Sequence, residues 1–125
     1  MRLDGVTLMN KILLCGLLLV FVLQPTVTLA DSMNEEIDYL ISSVGTGGCT
    51  FIRNGNRLTG RDARTHLKSK RRRNAHIIDN TEEFIEKIAS RSVTSGKPYI
   101  ISCKGEDQRN AGEWFTLLLA QRRNP

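Results

Sequence analysis

An unbroken apolar run over residues 12–23 sets the N-terminal segment apart from everything that follows it. Lys11 precedes the run and a small residue, Ala30, closes the segment, which is the order typical of a cleavable signal peptide. A membrane-spanning helix needs about twenty apolar residues, and this run is shorter. The sequence therefore predicts a signal peptide over residues 1–30, cleavage between Ala30 and Asp31, and a periplasmic or secreted product with no transmembrane segment.

Three other interpretations of the N-terminus stay open. Translation could start at Met9 instead of Met1, because Met9 and Lys11 make a more compact positive region. A lipid on Cys15 is disfavoured, since Leu14 is large where lipidation signals carry a small residue. The third interpretation keeps the apolar run as an uncleaved anchor.

Removal of the signal leaves residues 31–125, a length that suits one small domain. This domain retains two cysteines, Cys49 and Cys103, and an even pair in an oxidising compartment predicts a disulfide. In the chain-entropy model such a bridge stabilises the fold by about 4 kcal/mol. Two free buried thiols, or one reactive cysteine, are the alternatives.

Helix signals occur four times in the domain. Apolar residues recur at i, i+3, i+4 and i+7 from Ile37 to Val44, behind a predicted capping box of Ser32 and Glu35. Three further sets of capping residues open the later helices: Thr59 with Asp62, residues 79–81, and Asn110 with Glu113. The helix after Thr59 is predicted to run from about Gly60 to about Arg73.

Strand signals lie between these helices. Strand-forming residues 49–53 lead into Asn54-Gly55, a strong hairpin turn, and residues 56–58 form the return strand. A later run at 99–103 predicts one more strand. The order of elements predicts an α+β fold, in which about four helices cover a small antiparallel sheet made of the short hairpin and the later strand.

Several short motifs occur in a fixed order between residues 33 and 120. They are Phe51-Ile52-Arg53-Asn54-Gly55, His66-Leu67, Thr81-Glu82-Glu83-Phe84-Ile85, Ile88-Ala89-Ser90 and Ser95-Gly96-Lys97-Pro98-Tyr99. On these motifs the chain resembles the YfeK-like family of small exported bacterial proteins, a domain of unknown function. The resemblance implies a periplasmic location and a shared fold, and it implies no activity, ligand or catalytic residue.

Basic residues are concentrated in one part of the chain. Residues 53–76 hold nine Lys and Arg against a single acid, Asp62. At about 100° per residue, most of the basic residues of the predicted helix share one face, and Arg57 precedes it. The predicted anion-binding residues are Arg57, Arg61, Arg64, Lys68, Arg71 and Arg72.

The simplest interpretation of this stripe is a solvated helix face. As a binding surface it would attract anions, so its expected partners are lipid headgroups, lipopolysaccharide, acidic glycans or an acidic protein. Nucleic acid is not an expected partner, because the protein is predicted to be exported and the stripe lacks interleaved aromatic residues.

Signals for catalysis or cofactor binding are weak. His66 and His76 lack a third metal ligand at a suitable spacing, and Ser95-Gly96-Lys97 lacks the earlier glycine of a phosphate loop. No catalytic residue, metal or cofactor is therefore expected. We predict a non-enzymatic envelope module that binds an anionic surface or protein partner. The alternative is a small hydrolase or transferase built around Arg53, His66 and Lys97, which requires a pocket where the three side chains converge.

Overall fold

The computed structural model describes residues 22–24 and 29–125, so most of the predicted signal peptide lies outside the described residues. The helices are α1 (Leu29–Ser43), α2 (Gly60–Arg73), α3 (Thr81–Phe84) and α4 (Ala111–Arg123). A 3₁₀ turn (Ala75–Ile77) follows α2, and α3 continues directly into a π-helical turn (Ile85–Ala89), called the π turn below. The strands are β1 (Cys49–Arg53), β2 (Asn56–Leu58), β3 (Ile100–Cys103) and β4 (Arg109–Asn110).

The four strands form one antiparallel sheet in the order β2-β1-β3-β4, which confirms the predicted α+β class. Phe51 and Ile101 are paired across β1 and β3 and are buried against the helices. Their neighbours Ile52 and Ile100 are also paired, and alternation turns them to the other face of the sheet. β4 was not predicted, because two exposed residues carry no strand pattern.

The hairpin between β1 and β2 has the turn that its sequence predicts. Asn54 and Gly55 have φ values of 51° and 79°, the left-handed conformation that a two-residue I′ turn requires at both positions. Only Gly, Asn and Asp adopt this conformation at low cost, so the Asn-Gly pair determines where the chain reverses.

Helix α1 begins earlier than the sequence predicts. Its first residue is Leu29, so Ser32 lies inside the helix and the predicted capping box at Ser32 is wrong. The predicted apolar face is confirmed, since Ile37, Leu40, Ile41 and Val44 are all buried. The helix runs across the predicted cleavage position, and that cleavage stays a prediction.

The other helix starts agree better with their capping signals. The Thr59 hydroxyl accepts a hydrogen bond from the Asp62 backbone N–H at 3.1 Å. The Asn80 side chain accepts from the Glu83 N–H at 2.8 Å. Asn110 occupies the N-cap position of α4, but its side chain makes no capping hydrogen bond, so this part of the prediction is wrong.

The predicted disulfide between Cys49 and Cys103 is confirmed. The two residues are direct partners in the register of β1 and β3, and the bridge joins positions separated by 54 residues. It therefore links the strand before α2 to the strand that follows the π turn, across the middle of the sheet. Among the described residues, no helix has the length and apolar character needed to cross a membrane.

Candidate functional site

The basic residues of α2 are divided among three faces of the helix. On the face toward α1, Arg64 Nη1 donates a hydrogen bond to the Val44 carbonyl at 2.7 Å. Arg71 forms an ion pair with Asp38 and a hydrogen bond with Asn34, each at 2.7 Å. These two arginines belong to the predicted anion-binding stripe, yet the structure uses them to join α2 to α1.

Three predicted residues remain on the solvent face. Arg61, Lys68 and Arg72 recur at i, i+7 and i+11 and are all exposed, and we call them the exposed row. Arg57 does not extend this row. It pairs with Ile52, so alternation places it on the sheet face that the helices leave uncovered.

The third face of α2 carries a buried lysine. Lys70 is only 4% exposed, and its ammonium group donates to the carbonyls of Ile88 at 2.8 Å and Arg91 at 2.7 Å. Its third hydrogen bond goes to the Tyr99 hydroxyl at 3.2 Å. The ammonium thus lies at the C-terminal end of the π turn, where helical carbonyls lack onward partners and favour positive charge. Desolvation lowers the pKa of Lys70 to about 8.

The Tyr99 hydroxyl connects Lys70 to His66. The His66 Nε2 atom lies 3.0 Å from this hydroxyl. An ammonium group only donates, so the Tyr99 oxygen accepts from Lys70, and the Tyr99 hydroxyl hydrogen is available to His66 Nε2. In the arrangement where Nε2 accepts that hydrogen, the ring proton of His66 is on Nδ1. Burial, together with the charges of Arg53, Lys70 and Arg73, lowers the pKa of His66 and keeps the ring neutral near pH 7.

Arg53 completes this group from the end of β1. The register of β1 and β3, continued by one residue, places Arg53 opposite Tyr99 on the helix-covered face. Its Nε atom is buried and has no hydrogen-bond partner among the described residues. Burial raises the pKa of the Tyr99 hydroxyl, and a side-chain hydrogen bond with Arg53 opposes that rise. We call Arg53, His66, Lys70, Arg73 and Tyr99 the cationic cluster. The charged groups that shift the pKa values of His66 and Lys70 are all basic.

The structure does not bring together the three residues of the predicted enzyme alternative. Arg53 and His66 lie in the cationic cluster. Lys97 instead lines a depression with Ile52 and Ile100 on the uncovered face of the sheet. The turn before β3 determines this separation, since it directs Lys97 away from the helices. The sequence analysis named Arg53 and His66 of the cationic cluster and missed Lys70 and Tyr99. The spacing could have indicated Lys70, because it follows His66 by one helical turn.

A second concave feature lies between the π turn and α4. This groove has a volume of about 750 Å³ and is lined mainly by apolar atoms, including those of Ile85, Leu117 and Leu119. Glu86 and Glu113 also line it. The sequence did not predict it, because the groove depends on how far α4 lies from the π turn.

Metal binding finds no support within the described part of the chain. His76 is exposed on the 3₁₀ turn, and residues 29–125 contain no group of three side chains that could hold a metal ion.

Comparisons with known proteins identify a family and no activity. A relative from Salmonella typhimurium, uncharacterized protein YfeK, is 44% identical over 50 residues, which cover 40% of this chain and 42% of that protein. The match thus spans less than half of that relative's length. No solved structure matches the chain. A family model described as a family of unknown function, DUF5329, matches residues 31–123, and the chain therefore belongs to that family.

Proposed function

We propose that the protein is an exported, non-enzymatic module that binds anionic headgroups of the cell envelope through the exposed row. The supporting observation is that Arg61, Lys68 and Arg72 are exposed on one side of α2. Within the described residues, none of the three takes part in an ion pair. Their charges are therefore available to an external anion.

Two contacts hold the exposed row in place. Arg64 and Arg71 fix α2 to α1 beside the exposed row, about 70° away from it around the helix axis. Because the helix is anchored, binding requires little ordering of the backbone. Each cation near an anionic membrane surface contributes about 1 kcal/mol, so three acting together give an affinity gain of about a hundredfold. The gain decreases as salt screens the charges.

Export is a separate part of the proposal. It is supported by the apolar run over residues 12–23 and by the disulfide, a bond that persists in oxidising compartments. N-terminal sequencing of protein recovered from its native cells is expected to give Asp31 as the first residue. Recovery of a cytoplasmic protein that retains Met1 or Met9 would contradict export.

The binding test uses vesicles of phosphatidylglycerol and of phosphatidylcholine. The parent protein is expected to sediment with the anionic vesicles at low salt and to be released at high salt. A variant with Arg61→Gln, Lys68→Gln and Arg72→Gln keeps helix propensity high and is expected to lose about a hundredfold in affinity.

The control variant removes the same charge from exposed positions outside α2, with Lys97→Gln, Lys104→Gln and Arg109→Gln. It is expected to bind within about threefold of the parent, because only long-range attraction is reduced. Equal losses in the two variants would show a response to net charge alone and would contradict the role of the exposed row.

A further inference from the structure

We propose that Arg53, His66 and Arg73 form a site for a phosphate group, separate from the exposed row and open to solvent beside β1. The starting point is the cationic cluster, which gathers positive charge from β1 and α2 around Tyr99. Charged groups removed from water are normally paired with an opposite charge. Here the charges that act on His66 and Lys70 are basic, and the compensating anion is not supplied by those neighbours.

Arg53 provides the most specific sign of a ligand. Its Nε–H is buried and unpaired among the described residues, while the residue as a whole is half-buried. A buried donor without a partner is costly, so such atoms usually mark a bound ion, water or ligand. Guanidinium groups bind phosphate oxygens through two parallel hydrogen bonds, one of which uses Nε in the side-on arrangement.

His66 offers a second donor to the same place. When its Nε2 atom accepts the hydrogen of Tyr99, the ring proton is on Nδ1 and points away from that hydroxyl. Among the described residues Nδ1 has no hydrogen-bond partner, and the half-buried ring is accessible from solvent. A neutral imidazole N–H beside a guanidinium group suits an oxyanion.

Arg73 supplies the outer charge. It follows His66 by seven residues and Lys70 by three, so it lies on the same face of α2. One of its terminal nitrogens, Nη1, is held by the Ser69 hydroxyl at 2.9 Å. Lys70 itself has all three N–H bonds directed at protein oxygens, so it contributes charge and no contact. Phosphate, with up to two negative charges and several acceptor oxygens, matches this set better than a single carboxylate.

The exposed row lies elsewhere on the helix. Residues 61, 68 and 72 are displaced from 66, 70 and 73 by roughly a third of a turn or more on an ideal helix. The phosphate site therefore does not depend on the proposed membrane function, and the two can succeed or fail separately.

The test measures thermal unfolding and calorimetric binding at constant ionic strength, with sodium chloride replaced by inorganic phosphate, glycerol phosphate or acetate. Phosphate is expected to raise the unfolding temperature, and this effect should level off as the site fills. Acetate is expected to raise the unfolding temperature only weakly. Binding of glycerol phosphate as well as free phosphate indicates a monoester ligand; binding of free phosphate alone indicates the inorganic ion. Equal effects of chloride, acetate and phosphate would overturn the proposal.

Variants locate the site. Arg73 is exposed, so Arg73→Gln should leave folding intact. The variant is expected to weaken phosphate binding about tenfold, which is the loss that follows removal of one charged hydrogen bond. Arg53→Gln should weaken it at least as much, whereas Arg61→Gln in the exposed row should leave it unchanged. A tenfold loss in Arg61→Gln, or none in Arg73→Gln, would contradict the assignment.

A direct observation does not depend on any variant. In ¹⁵N spectra of the folded parent protein, the Nε–H signal of Arg53 is expected to shift as phosphate is added, and to shift little with chloride. A signal that remains unchanged at phosphate concentrations that stabilise the protein would place the ion somewhere else.

Discussion

Lys70 illustrates how a charged side chain is accommodated in the interior of a small domain. Burial of an ammonium group is unfavourable, and here three hydrogen bonds offset the cost. The acceptors are the Ile88 carbonyl of the π turn, the Arg91 carbonyl two residues after it, and the Tyr99 hydroxyl. The lysine therefore joins α2, the π turn and β3 at one point. Its position on the buried face follows from helical spacing, but its acceptors come from distant parts of the chain and could not be predicted.

Replacement of Lys70 by Met is expected to lower the free energy of unfolding by about 2–4 kcal/mol. Met fills a similar volume, but it leaves two carbonyls and a hydroxyl without a donor, and each costs about 1–3 kcal/mol before relaxation. Urea unfolding followed by circular dichroism measures the change. Lys68→Met, two residues away in the exposed row, serves as the control and should stay within about 0.5 kcal/mol of the parent.

The same lysine predicts a dependence on pH. Its pKa is about 8 in the folded protein against 10.5 ordinarily, so between these values the unfolded chain binds more protons. Stability should therefore rise as pH increases from 8 toward 10. Arg53, Arg73 and Tyr99 face the ammonium group, and the arginines stay charged in this range. In Lys70→Met the stability should no longer rise between pH 8 and pH 10. An unchanged rise in this variant would mean that another group causes the pH dependence.

At the scale of elements, the approach of α1 to α2 depends on two glycines. Gly45 ends α1 with a φ of 81°, as its sequence position after the apolar face predicts. A Cβ on Gly60 would lie 2.9 Å from the Gly45 Cα atom. This backbone contact brings α2 close enough for Arg64 to reach the Val44 carbonyl. The sequence predicted Gly60 at the start of a helix, but the contact between the two glycines depends on how α1 and α2 pack.

Gly60→Ala should destabilise the protein by about 1–3 kcal/mol, although Ala is the better helix former. The added methyl group meets Arg64 Nη1 at 2.8 Å and the Gly45 backbone at 2.9 Å, and the backbone cannot move aside as the arginine can. Chemical unfolding measures the cost. Gly47→Ala is the comparison, since its Cβ meets nothing within 4 Å and only the positive φ of 61° opposes it, for about 1 kcal/mol. A Gly60→Ala variant as stable as the parent would show that the helices can separate freely.

The π turn marks the limit of element prediction in this chain. Phe84, Ile85, Ile88 and Ala89 are all buried, and their spacing in the sequence is typical of one apolar helix face. The π-helical hydrogen bonds, which span five residues in place of four, could not be predicted, because they depend on partners outside the segment. Ser90 Oγ donates to the Ile85 carbonyl at 2.5 Å, and Lys70 binds the Ile88 carbonyl. Local sequence therefore specifies the buried face, and tertiary contacts specify the type of helix.

Across the whole molecule, basic residues concentrate on α2, and a largely apolar groove between the π turn and α4 includes carboxylates. The sequence predicted the basic segment over residues 53–76, because its nine Lys and Arg lie close together in the chain. The groove brings together Glu86 and Glu113, which are distant in sequence, so it emerged only from the fold. The cationic cluster has the same origin, since Arg53 and Tyr99 meet through strand pairing.

One arginine connects the two ends of the described chain. Arg123, at the end of α4, donates from Nε and Nη2 to the Glu36 carboxylate of α1 at 2.7 and 2.9 Å, and from Nη1 to Glu82 of α3. The Thr81 hydroxyl donates to the same Glu36 carboxylate at 2.7 Å. The hydrogen bond from Arg123 is the main reason that the pKa values of Glu36 and Glu82 lie below 4.5.

Replacement of Arg123 by Gln should lower the free energy of unfolding by about 1–2 kcal/mol near pH 7, a modest loss because Arg123 and Glu82 are partly exposed. The lowered carboxylate pKa values stabilise the folded state above pH 4.5, and this contribution disappears as pH falls through the folded-state values. Denaturant unfolding from pH 7 to pH 3 should therefore show the parent losing more stability than Arg123→Gln, so that the two curves converge in acid. Lys104→Gln, which removes an exposed cation, should follow the parent curve throughout. A constant difference between parent and Arg123→Gln at every pH would mean that the arginine stabilises the helices through packing alone.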